Sequence, residues 1–163
     1  MVELIVVIIL IGIIGTIAAS RFFERSTFDT AAWAEQVRST LRYAQKVAIA
    51  QNSPVYVHFS PDRIAVCLDS APACSSDAAR VRAPGGYNSG SAQTRSACGS
   101  ASWMCEGRPV GVAMTLAGAT GGSVAFDGLG RAAMSSGFSG KLDIKGQGLT
   151  IAVGIDPETG YVD

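Results

Sequence analysis

Charge is absent from residues 4–20, and the one acid before that run, Glu3, stands two residues from the start, after Met1 and Val2. At a rise of about 1.5 Å per residue, a helix over this run reaches roughly 25 Å, near the lower limit for crossing a bilayer's hydrocarbon core. The pattern predicts a hydrophobic anchor or helix-packing segment over residues 1–20. A carboxylate in hydrocarbon costs at least ~2.5 kcal/mol on insertion scales, so Glu3 either sits at headgroup level or has a partner. The nearest cation is an amino terminus, the chain's own or a neighbour's, and an intermolecular pair would set a subunit register. Ile17-Ala18-Ala19 before Ser20 could pass for a signal-peptidase site, but an acid stands where a signal peptide has its basic region.

Residues 21–51 contain neither Gly nor Pro and are rich in helix formers, which predicts that the helix continues as an amphipathic second half. Val37, Leu41, Ala44 and Ala48 fall at helical spacing, with Tyr43 and Val47 beside them. Glu35, Arg38, Arg42 and Lys46 lie mostly off that stripe. Asn52, Ser53 and Pro54 supply the stop. The apolar period then becomes two: Val55, Val57 and Phe59, a Ser60-Pro61-Asp62 turn, then Ile64, Val66 and Leu68 read as a hairpin. Further strands are expected at 110–116, 123–126, 141–144 and 149–153, with a closing edge at 161–163. Asp156-Pro157-Glu158-Thr159-Gly160 is read as the last turn. Seventeen of the nineteen glycines follow Ala83, and the Gly/Ser-rich stretch at about 83–102 is expected to be a loop. The fold class expected is α+β, a long N-terminal helix packed by its second half on an antiparallel β domain spanning residues 52–163.

The formal charge is zero, so no generic nucleic-acid surface is expected, although Arg80, Arg82, Arg95 and Arg108 lie in or beside the loop and could form a local basic patch. Cys67, Cys74, Cys98 and Cys105 come in two pairs, each with six residues between partners. An even count beyond the apolar segment favours disulfides in an oxidising compartment. Zinc is the competing use, yet neither interval resembles a two-to-four-residue ligand knuckle, and His58 is the single histidine. Three connectivities are open, and local pairing of Cys67 with Cys74 and of Cys98 with Cys105 is favoured. No catalytic residue, metal or cofactor is expected. A Gly-x-Ser-x-Gly elbow is absent, and the stretch before Gly140-Lys141 fails as a phosphate loop because Ser135 and Leu142 occupy its required positions. His58 is expected on the solvent side of its strand, and Asp156, Glu158 and Asp163 are better explained by turn chemistry than by a bound cation.

Val2-Glu3-Leu4-Ile5-Val6-Val7-Ile8-Ile9-Leu10-Ile11-Gly12-Ile13-Ile14 resembles the N-terminal helix of type IV pilins and pseudopilins. Ser20-Arg21-Phe22-Phe23, Leu41-Arg42-Tyr43-Ala44-Gln45-Lys46-Val47-Ala48, Val124-Ala125-Phe126-Asp127-Gly128-Leu129-Gly130 and Thr159-Gly160-Tyr161-Val162 resemble minor pilins of the mannose-sensitive haemagglutinin system (protein C) and the related type II secretion H and FimT group. The resemblance implies a minor pilin that helps start or cap an adhesion-type pilus. A type II secretion pseudopilin of the H type is one alternative, and a secreted or membrane-anchored disulfide-bonded binding domain is another. It implies that Glu3 docks on an adjacent subunit's amino terminus and that Val2, Leu4, Ile5, Val6, Ile8, Ile9, Gly12, Ile13 and Gly15 pack the filament core. Partners implied are other pilin subunits, the inner membrane before assembly, prepilin peptidase and the pilus assembly machinery, with DNA kept only as an option that salt dependence would test. The β domain is expected in the periplasm before assembly and in an extracellular filament afterwards. Family members carry a basic leader ending in glycine, then phenylalanine and threonine. Met1 is therefore read as standing where the family has leucine, with two residues and the leader missing before it.

Overall fold

The computed structural model describes residues 2–71, 74 and 76–163, and for residues 16–26 the backbone course alone. Helix α1 spans Val2–Gln51 without interruption. It ends where the sequence supplies a left-handed residue: Asn52 has φ 47°, its N–H donates to the Ile49 carbonyl at 3.2 Å, and the Ser53 N–H donates to that of Ala48 at 3.2 Å. This paired closure satisfies two orphan carbonyls, and Pro54 prevents further helix.

The chain then forms β1 (Val55–Ser60), β2 (Arg63–Cys67), α2 (Ala92–Cys98), β3 (Cys105–Gly107), β4 (Ala113–Leu116), β5 (Gly122–Phe126), β6 (Ala132–Met134), β7 (Lys141–Gly146) and β8 (Leu149–Gly154). Single 3-10 turns lie at Asp77–Ala79 and Pro84–Gly86. One antiparallel sheet has the order β3-β2-β1-β5-β6 and a second the order β4-β7-β8. In the β1–β2 hairpin Phe59 faces Ile64 and Val57 faces Val66, so their side chains share one face. That face meets Trp33, Ala34, Val37, Leu41, Ala44 and Ala48 of α1, and Leu142, Ile144 and Val153 of the smaller sheet join the same core. The architecture is α+β, one helix laid across antiparallel sheets.

Several expectations are corrected. The stretch at 83–102 is not a plain loop: Ser91 caps α2, its Oγ accepting the Thr94 N–H at 3.0 Å, and Gly99 ends it at φ 68°. The strand expected over 110–116 begins at Ala113, because the Val112 N–H turns back to the Pro109 carbonyl through Gly111 at φ 81°. The closing edge at 161–163 is a single bridge between Ile155 and Val162. His58 is buried rather than solvent-facing. The alternation rule assumes a sheet with one wet face, whereas here the outer face carries its own small core of Ala65, Cys67, Cys74, Cys98, Trp103 and Cys105.

Candidate assembly surface

Over residues 2–15 the side chains of α1 are uncovered. Eleven large apolar residues between Val2 and Ile14 are each about half exposed or more. Helical periodicity distributes them around the whole circumference, so no single face of the domain could bury them all. Soluble monomers rarely expose apolar patches beyond a few hundred Å². Completing the burial of these side chains stabilises by on the order of 10 kcal/mol, several times the insertion cost of one carboxylate. The chemistry available to this segment is therefore association with lipid or with other apolar helices.

Glu3 stands in the first turn of this segment, and Gly12 and Gly15 lie in it with nothing within 4 Å of where a Cβ would be. The two glycines leave room for a second helix to approach closely. Val2, Leu4, Ile5, Val6, Ile8, Ile9 and Ile13 lie along the same stretch, each exposed. Met1, whose amino group is the candidate partner of Glu3, lies outside the described residues. Among the described residues no helix is long and apolar enough to cross a membrane. Residues 4–15, the apolar stretch whose side chains are described, reach about 18 Å. The remainder of the expected anchor, residues 16–20, lies outside the described side chains.

The second half of α1 is fixed to the domain by more than its apolar stripe. Arg38 donates from Nε to the Asp163 carbonyl at 2.5 Å and from Nη2 to that of Ala152 at 2.9 Å. Arg42 donates to the Val162 carbonyl at 2.8 Å, and the Gln45 amide donates to those of Gly130 and Thr159 at 2.8 and 3.1 Å. Arg38 and Arg42 are residues that lie mostly off the apolar stripe. A side chain at Gly160 would collide with the Gly130 carbonyl and the Gln45 amide, which explains glycine there.

Two turns hold the Gly130 and Thr159 carbonyls that Gln45 reads. Desolvation works to raise the Asp127 pKa, but the Arg131 backbone N–H and guanidinium and the Leu129 N–H outweigh it and hold the carboxyl below its usual value. The Thr159 N–H and hydroxyl, both 2.8 Å from Asp156 Oδ1, lower the Asp156 pKa. Asp156 is thus spent on its turn and does not gather with Glu158 and Asp163 into a cation site among the described residues.

The cysteines pair as Cys67 with Cys74 and Cys98 with Cys105, with Cα separations of 5.7 and 5.9 Å. The second pair staples the end of α2 to β3. Beside it a buried carboxylate organises the 83–102 stretch: Glu106 accepts from the Ser89 N–H at 2.8 Å, from the Ser89 hydroxyl, and from the Thr94 hydroxyl at 2.9 Å. Thr94 Oγ1 in turn accepts the Gly107 N–H at 3.0 Å. Nothing in the local sequence pattern signals this network, since Glu106 lies beyond the polar loop that it anchors. Burial lowers the His58 pKa below its ordinary value, against the opposing hydrogen bond with the Asp69 carbonyl at 3.3 Å.

The family described as type II transport protein GspH matches residues 34–157, from the buried half of α1 to the last turn. No curated protein and no solved structure matches.

Proposed function

The chain belongs to the type II transport protein GspH family, and on that premise we propose that it is a structural subunit of a pilin-like filament, held in the inner membrane by residues 1–20 until it is assembled. The observation that carries this reading is the exposed apolar stretch over residues 2–15, which belongs to the same helix as the half packed into the β domain. Residues 1–20 form the membrane and filament-core segment, 21–51 its amphipathic continuation, and 52–163 the domain displayed outside. Within an assembly the stripe around Val2, Leu4, Ile5, Val6, Ile8, Ile9 and Ile13 exchanges lipid for neighbouring helices, and Glu3 neutralises an adjacent amino terminus. The same association makes other pilin-like subunits and the assembly machinery its partners, and gives the chain a structural rather than an enzymatic role.

The family match supports a pseudopilin of type II secretion, with the β domain in the periplasm. The motif from Val2 to Ile14, together with a disulfide-braced accessory stretch, favours a second reading as a minor pilin of an adhesion-type pilus. Changing Glu3 to Ala tests the common core: the β domain should fold and the chain insert normally, while its recovery in sheared or detergent-extracted filaments falls. Unchanged recovery would refute the docking role. Deleting the chain separates the two machines, because a pseudopilin's loss stops export of folded proteins and a minor pilin's loss reduces surface filaments.

A further inference from the structure

A small cavity of about 200 Å³ opens beside the outer-face core, lined among the described residues by Asp77, Arg80, Arg82, Ser100, Ser102 and Trp103. Its walls are held by backbone pairing. Arg82 bridges Trp103, the Val81 N–H donates to the Val66 carbonyl at 3.2 Å, and the Ala83 N–H donates to that of Ser102 at 2.9 Å. Along such an extended segment residues two apart share a side, so Arg80 and Arg82 both reach the cavity.

The two arginines differ in what already engages them. Arg80 lies with its guanidinium carbon 4.7 Å from the Trp103 ring centroid and pairs with Asp77, so it is oriented before any ligand arrives. Trp103 is itself fixed by an Nε1–H bond to the Val66 carbonyl at 2.9 Å. The exposed Arg82 guanidinium has no hydrogen-bond or ion-pair partner among the described residues. Opposite them the Ser100 and Ser102 hydroxyls stand 3.3 Å apart on the segment that the Cys98–Cys105 bond closes.

We infer that this cavity binds a single carboxylate group, with Arg82 supplying the principal ion pair and Arg80, Ser100 and Ser102 the remaining donors. Two guanidinium groups and the Asp77 carboxylate line the cavity, while the third guanidinium near Trp103, that of Arg63 at 5.4 Å from the ring centroid, donates to the Ala97 carbonyl. A phosphate dianion would face Asp77 at short range and is disfavoured. Guanidinium is the group best shaped for carboxylate recognition, and the Trp103 stack reduces the conformational freedom that Arg80 loses on binding. The inference goes beyond the filament reading and does not depend on it, since ligand binding is read on the isolated chain.

The test is a titration of the isotopically labelled full chain in zwitterionic micelles with sodium acetate at low salt, followed by NMR, with chloride and inorganic phosphate at about pH 8 as the comparison arms. Acetate should shift the amides of Arg80, Arg82, Ser100 and Ser102 and the Trp103 indole saturably, and more tightly than phosphate. Arg82→Gln, at an exposed side chain whose loss leaves the fold intact, should weaken acetate binding about tenfold, as expected for one charge-assisted hydrogen bond. Asp77→Asn should raise phosphate affinity. Absence of saturable shifts at these positions, phosphate binding as tightly as acetate, or unchanged acetate affinity in Arg82→Gln would overturn the assignment.

Discussion

Truncating α1 at two positions separates the two environments that this one helix meets. Leu41 is fully buried between the helix and both sheets, whereas Ile8 is 62% exposed. Leu41→Ala removes apolar atoms from a packed site and leaves a cavity, a change that costs about 3 kcal/mol. For a chain of this length that lowers the melting temperature by about 10 °C. Ile8→Ala removes a side chain that the domain never touches, and surface changes of that kind stay within about 0.5 kcal/mol. Trp33 and Trp103 are both buried, so near-ultraviolet circular dichroism of the full chain in non-ionic detergent reports loss of tertiary packing directly. Leu41→Ala should melt early and Ile8→Ala should melt with the unsubstituted chain. Equal melting of the two variants, in either direction, would refute the division of α1 into a domain half and an assembly half.

Glu106→Ala should cost about 2 kcal/mol, because it removes a buried acceptor from the buried Thr94 hydroxyl and frees the Ser89 N–H and hydroxyl from their anchor, and should speed amide hydrogen exchange in α2 more than in β7. Replacing Cys98 and Cys105 together by Ser should cost about 2.5 kcal/mol in denaturant unfolding on chain-entropy grounds. Stability should also fall as the pH drops below the ordinary histidine value of about 6.5, since the pKa of His58 is lowered in the fold and the unfolded chain takes up its proton first. That contribution is present above the unfolded pKa and is lost toward the lower folded pKa. As His58 is the single histidine, melting curves of His58→Gln should lack this slope just below about pH 6.5.

The helix and the hairpin were legible because their patterns are long. Val37, Leu41, Ala44 and Ala48 keep helical period over three turns, and Asn52-Ser53-Pro54 closes the helix with residues suited to that geometry. Strands β7 and β8 likewise carry alternating apolar residues over six positions each. Strands β3 and β6 are three residues long and too short to show a period. Helix α2 was hidden for a different reason: its seven residues are mostly small and polar. It is held by a cap, a disulfide and Glu106, which are tertiary contacts rather than an amphipathic face. The burial of His58 is not legible in its strand, because the outer-face core on that side of the sheet draws on residues up to Cys105, far along the chain. The clamp by Arg38, Arg42 and Gln45 is not legible in sequence, because its acceptors are backbone carbonyls, which carry no side-chain signature. For the assembly surface the reverse holds, since apolar residues without polar interruption are visible in sequence whatever covers them.

The most direct test of the assembly reading places a photo-crosslinking amino acid at Ile8 in the full chain and irradiates living cells. Adducts with other filament subunits should form when the assembly machinery is present and disappear when its motor is inactivated, leaving the chain in the membrane. Adducts that are absent in both cases, or identical in both, would contradict the claim that this helix passes from lipid into a filament core.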